Sequence, residues 1–198
     1  MNINSPKDSQ VPPVHQLDDA IGVPNRRWYV AIVGRNTEKA CRERLIALGY
    51  ESYVATQMET RVWRTGQKKQ VERVLISNLL FTHVTERERL EIVKLPYINY
   101  FMTDKSGRTN DFGRHPLAVI PDSQMDMLRF MLYHADSPVT FTSERLRLGD
   151  HIRVIRGQLS GCEGYVAKEG NQTHLVVRID FLGSALVSIS PDDLEKIV

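Results

Sequence analysis

The residues of richest chemical potential in this chain are two cysteines and six histidines, and their spacing assembles no reactive centre. A zinc site built on Cys or His needs ligand pairs a few residues apart. Cys41 and Cys162 stand in different halves of the chain, and His15, His83, His115, His134, His151 and His174 are scattered. No Ser/His/Asp or Cys/His set follows from this order, and no glycine-rich loop opens a helix as a nucleotide site requires. The sequence therefore predicts no catalytic residue, no metal, no cofactor and no enzyme. Two cysteines without a disulfide framework fit a reducing, cytoplasmic setting.

Charge and apolar surface remain. The 198 residues carry 26 Lys+Arg against 24 Asp+Glu, a net charge of +2, so any nucleic-acid contact must come from local patches. Arg35, Lys39, Arg42 and Arg44 crowd one short segment. In another, Arg61, Arg64, Lys68, Lys69 and Arg73 face only Glu59 and Glu72, with Trp63 among them. Solvated surface is the plain reading of both patches, and packing beneath its own hairpin is the plain reading of Trp63, with stacking on a base as its alternative. The hydrophobic fraction of 41% suffices for one core or two small ones. No apolar run approaches membrane-spanning length. Residues 1–25 are polar and proline-bearing, lack the pattern of a signal peptide, and are predicted to be a mobile leader.

The elements that must position these side chains follow from periodicity. Arg26–Gly34 is apolar on both faces and is predicted as a central strand. Asn36 is a candidate cap for a helix with a Cys41, Leu45, Leu48 stripe, which Gly49 ends. Glu59–Arg64 and Lys69–Leu75 are predicted arms of a hairpin around Thr65–Gly66–Gln67. Leu79–Val84 is a strand, and Thr85 with Glu88 forms a capping box. A third helix starts at Asp122 or Ser123 and runs to about His134. The predicted class over 26–134 is an α+β domain with a mostly antiparallel sheet and flanking helices. Residues 135–146 are polar and are predicted as a linker, and 147–198 as a small β-barrel of about five strands.

Glycines at 149, 157, 161 and 164 frame the first connection of that barrel, in GDHIRVIRGQLSGCEGYV. This arrangement resembles the KOW motif, an SH3-like barrel unit found in NusG-type transcription factors and in several ribosomal proteins. RRWYVAIVGRNTEKACRERL resembles the first strand and helix of the NusG N-terminal domain, and Val74–Val84 sits where that family carries an aromatic-rich strand. Ser77–Asn78 replaces the usual Pro–Gly, and Leu79 replaces an aromatic. These departures, with the basic hairpin, resemble the specialised RfaH and UpxY groups, which antiterminate surface-polysaccharide operons.

The resemblance implies a monomeric transcription elongation and antitermination factor. Its N-terminal domain would dock an apolar patch on the clamp helices of RNA polymerase and close the cleft over DNA, suppressing pausing. Ile32, Leu79 and Phe81 match the docking positions, and core packing is their alternative reading. Met125 reads as core. A charge at Leu79 or Phe81 is expected to abolish docking and spare the fold. Arg35, Lys39 and Arg44 match a region near non-template DNA, and Arg61, Arg64, Lys68 and Lys69 would reach upstream DNA or a polymerase surface. Leu159 and Leu182 match positions that meet ribosomal protein S10 or Rho. Leu159, on a glycine-flanked loop, either is displayed to that partner or closes the barrel rim. The competing function is a KOW-type RNA-binding or ribosome-associated protein, against which the near-neutral charge of 147–198 speaks.

Overall fold

The computed structural model describes residues 25–106, 108–144 and 146–197. Nearly all of the predicted leader therefore lies outside the described residues. The first sheet has five antiparallel strands in the order β2–β5–β1–β6, with β7 also paired to β1. These are β1 (Arg27–Val33), β2 (Glu51–Tyr53), β5 (Leu79–Val84), β6 (Ile98–Phe101) and β7 (Val119–Ile120). β1 is central, as its double-sided apolar pattern requires. Tyr29, Ala31 and Val33 point to one cluster, and Trp28 and Val30 to the other.

Helices cover both faces. α1 (Glu38–Ala47) and α2 (Glu86–Ile92) bury Cys41, Leu45 and Ile92 against the Tyr29 side of the sheet. Thr85 and Glu88 cap α2 reciprocally, as the capping-box spacing predicts. The start of α1 differs from expectation. Thr37 occupies the cap position, and Asn36 instead adopts a left-handed φ of 63° in the preceding turn. Leu48 falls beyond the helix and is exposed, which narrows the stripe to Cys41 and Leu45. Gly49 N–H to Ile46 O and Tyr50 N–H to Leu45 O close the helix as a Schellman pair.

β3 (Thr56–Val62) and β4 (Lys68–Val74) form a separate two-stranded hairpin. α3 (Asp122–His134) lies on the Trp28 side of the first sheet. Beyond it stands an antiparallel sheet in the order β13–β9–β10–β11–β12–β8. Its strands are β8 (Thr140–Thr142), β9 (His151–Val154), β10 (Glu163–Glu169), β11 (Gln172–Ile179), β12 (Gly183–Ser188) and β13 (Leu194–Lys196). Six strands replace the expected five or so, because β8 arises inside the predicted linker. Phe141 packs there, and Gly183 lets the β8 backbone approach where a Cβ would strike the Thr142 carbonyl. No helix among the described residues is long and apolar enough to cross a membrane.

The glycine-framed connection is bent as expected, with Gly157 and Gly161 at φ 79° and 89°. Gly164 answers a different need: a Cβ there would lie 2.5 Å from the Val176 carbonyl oxygen. Leu159 does not project from this loop. Gly161 N–H to Val154 O and Cys162 N–H to Leu159 O fold the loop back, and Leu159 is 8% exposed.

One apolar cluster runs from the first sheet through α3 into the second sheet. Two contacts mark the junction: Cys162 Sγ lies 3.1 Å from Met127 Sδ, and Asp180 N–H donates to Gln124 Oε1 at 2.8 Å. Burial pushes the Cys162 thiol up to about 12.

Gly164→Ala is expected to lower unfolding free energy by about 1–3 kcal/mol in urea titration, since β10 and β11 must move apart. Alkylation of Cys162 at pH 8 is expected to be very slow, because its thiolate is scarce and its surface is covered. Met127→Ala uncovers the thiol and is expected to speed alkylation by roughly tenfold or more, read by mass spectrometry. An unchanged rate would mean that α3 does not guard it. Because the folded pKa lies above the ordinary 9.0, this group's contribution is intact below about pH 9 and is lost as pH rises towards 12.

Candidate functional site

Strand register gathers the three nominated docking residues. Ile32 pairs with Leu79 and Val30 with Phe81 across β1 and β5, so Ile32, Leu79 and Phe81 lie on one sheet face. Their exposure differs. Ile32 is half-buried, Leu79 is 8% exposed and Phe81 is 0% exposed. Phe81 packs in the cluster that α3 joins, with the Tyr53 ring centroid 6.3 Å away. A carboxylate at Phe81 would be buried without a partner, so Phe81→Asp tests folding before it tests docking. Met125 is buried in the same cluster, as its core reading requires. Arg129 of α3 reaches over the Trp28 and Tyr53 rings at 5.9 and 5.5 Å, which pins the helix across this face.

The turn before β5 explains its unusual residues. Asn78 takes φ 66°, a conformation glycine would supply, and its amide Nδ2 donates to Val33 O. Its backbone N–H donates to the buried Glu38 carboxylate at 2.8 Å. Val33 N–H donates to Asn78 O, so this turn is stitched to the end of β1.

The predicted cations do not form one surface. Arg35 is exposed. Lys39 is drawn to the hairpin, where Nζ meets the Glu72 carboxylate at 3.1 Å and also donates to the Glu72 carbonyl. Arg42, which the docking and DNA assignments left out, joins the same carboxylate at 3.2 Å, and Thr56 donates to it at 2.8 Å. Burial alone would raise the Glu72 carboxyl. Hydrogen bonds from Thr56, Lys39 and Arg42 outweigh it and hold the group below its usual range. Arg44 lies over the Tyr97 ring at 5.3 Å. Arg61 and Arg73 share Glu59. Arg64, Lys68 and Lys69 are exposed, and no ion pair engages them among the described residues.

The hairpin root holds the connector leading to β8. Gln57 Nε2 donates to Ser137 O at 3.0 Å, its Oε1 accepts from Val139 N–H at 2.8 Å, and Arg73 donates to Val139 O at 2.7 Å. In the second sheet, Leu182 is 8% exposed, while Phe181 beside it sits at φ 66° and is 47% exposed. Leu159 and Leu182 thus both face inward. Phe181, next to Leu182 in the chain, and Ile155, at the start of the loop that carries Leu159, are exposed, and sequence reasoning passed over both as contacts. An aromatic forced into a left-handed turn carries no periodic signal.

Among the described residues no three His, Cys, Asp or Glu side chains come together in a way that could hold a metal ion.

Comparison with known proteins bears on the whole arrangement. No curated protein matches the sequence. Among solved structures, one described as domain interaction in Thermotoga maritima NusG is 16% identical. That match covers 87% of this chain and 98% of the other, with a TM-score of 0.43. A chain of the MjSpt4:Spt5 complex in conformation A is 9% identical, covering 86% of this chain and 97% of that one, with a TM-score of 0.26. At these scores the superpositions carry no argument. The family model described as transcription termination factor NusG matches residues 26–129, more than half of the chain, from the start of β1 into α3. On that match the chain belongs to the NusG family of transcription factors.

Proposed function

We propose that this protein is an elongation and antitermination factor that rides on transcribing RNA polymerase. Its action would concentrate on one operon or a few, of the kind that builds surface or capsular polysaccharide. The observation that carries the proposal is the NusG match across the whole first sheet, together with the register that sets Ile32, Leu79 and Phe81 on one face.

The work is conformational, with no bond chemistry. Ile32 and Leu79 supply the apolar contact to the polymerase clamp helices, backed by Phe81 from within. A contact of this type draws its energy from a few well-packed apolar side chains. Arg35, Arg64, Lys68 and Lys69 track DNA phosphates, joined by Lys39, Arg44 and Arg61 where those leave their present partners. Phosphate contacts hold position without reading sequence. The C-terminal sheet acts as the KOW barrel. The loops carrying Leu159 and Leu182 meet a second partner, ribosomal protein S10 or Rho, with Ile155 and Phe181 as the first surfaces touched. The setting is cytoplasmic, and the factor works as a monomer.

The test is a reconstituted elongation complex. Wild-type protein is expected to co-elute with it and to raise readthrough of pauses and terminators. Absence of both would end the proposal. Ile32→Asp, at a half-buried position, is expected to weaken co-elution about tenfold or more while the chain stays folded. Arg35→Gln with Arg64→Gln should spare binding to core polymerase. It should also flatten the salt dependence of DNA-dependent recruitment by roughly 1.4 to 1.8 in log–log slope, for two lost phosphate contacts. Equal loss with and without DNA would refute the phosphate role.

A further inference from the structure

The tip of the β3–β4 hairpin carries an arrangement that the fold does not use. Trp63 is 56% exposed, and among the described residues it belongs to none of the apolar clusters and makes no ring contact. The expectation that it packs beneath its hairpin is therefore not met. An indole left in water contributes little to stability and invites a partner.

Its neighbours define that partner. Trp63 N–H donates to Gln67 O at 2.9 Å, which extends the ladder by one pair beyond Val62 and Lys68. Arg61 pairs with Lys69. Alternation of side chains thus puts Trp63, Arg61 and Lys69 on one face. Arg64 follows in the turn, which Gly66 N–H to Trp63 O closes. From Thr60 to Val71 the segment holds Arg61, Arg64, Lys68 and Lys69 and no acidic residue. Glu59 occupies Arg61, and no ion pair engages the other three among the described residues. An exposed indole set among free cations is the combination that binds single-stranded nucleic acid, with charge on the phosphates and a ring on the base. A duplex hides its base faces inside the stack, so only an unpaired strand offers one.

We infer that Trp63 stacks on an unpaired base of single-stranded DNA while Lys69 on the same face and Arg64 in the turn hold the flanking phosphates. The choice of DNA rests on the DNA-tracking reading above.

The experiment titrates the full chain with oligodeoxythymidylate of roughly 12 nucleotides, with oligouridylate of equal length, and with duplex DNA. Intrinsic fluorescence is the readout. Trp28 is 3% exposed and stacked on His83, so Trp63 is the indole open to quenching. Saturable quenching is expected with the deoxy strand. Trp63→Ala should remove the quench, weaken binding about tenfold and leave the melting temperature unchanged. Trp63→Phe should retain most of the affinity. Replacing Arg64 and Lys69 by Gln should flatten the log–log salt slope by about 1.4.

The inference is overturned if the deoxy strand does not quench, or if Trp63→Ala binds it as tightly as wild type. Binding of oligouridylate or duplex at least as tight as that of the deoxy strand overturns it too. Co-elution with polymerase, run in parallel, separates the two readings. Intact co-elution with a silent titration removes only the tip assignment, and co-elution lost in Trp63→Ala would make the tip a protein contact instead. Quenching without wild-type co-elution removes only the elongation-factor reading.

Discussion

The two-sided burial of α3 is the constraint on which the rest of the molecule depends. A helix of 13 residues is marginal alone in water, so its stability must come from what it covers. Residues three or four apart share a side. Gln124 and Met127 meet the second sheet, while Arg129 reaches Trp28 and Tyr53 on the first. Met125, Leu128 and Met131 are 0% exposed between them. Each such side chain contributes about 1.5–3 kcal/mol when fully buried. The helix thus turns two sheets that share no strand pairing into neighbours with one continuous apolar interior.

Polar contacts then fix what apolar packing leaves loose. Gln57 is 8% exposed and spends its amide on three backbone partners in the connector, a segment with no regular structure of its own until β8. Glu72 does the equivalent for α1, gathering Lys39, Arg42 and Thr56 at the hairpin root. Both anchors lie at the same end of β3–β4. Apolar burial chooses which elements meet, and these amide and carboxylate hubs choose their angle.

Much of this was legible in the residue order. The double-sided β1, the capping box at Thr85, the third helix and the bent loop at Gly157–Gly161 each follow from local chemistry that tertiary context did not override. The misses share a cause. β8 is three residues of Thr and Phe whose pairing is decided by a glycine some forty positions later, beyond any local pattern. Asn36 and Thr37 are both good caps, and only the left-handed turn chose between them. A strand with one apolar face reads the same whether a helix of its own chain or a foreign surface covers it. Strand alternation sets Leu79 and Phe81 on one face, but their burial beside α3 could not be read. The sequence left Leu159 open between display and rim closure, because glycines announce a turn and not the direction in which it points its side chain, and its burial fits the rim. Trp63 erred the other way, since an aromatic beside a turn ordinarily packs inward.

Clamping a hairpin at one end has a mechanical meaning. β3 runs from Thr56 to Val62, a reach of about 20 Å from root to tip. Past the clamp no hydrogen bond or ion pair among the described residues braces it sideways, so it behaves as a lever whose fulcrum is the cluster around Gln57, Arg73 and Glu72. A tilt of roughly 10° there would carry Trp63 about 3.5 Å over that reach, close to the spacing of stacked bases. Changes at the connector or at α1 would then be felt at the tip as displacement, amplified by length alone.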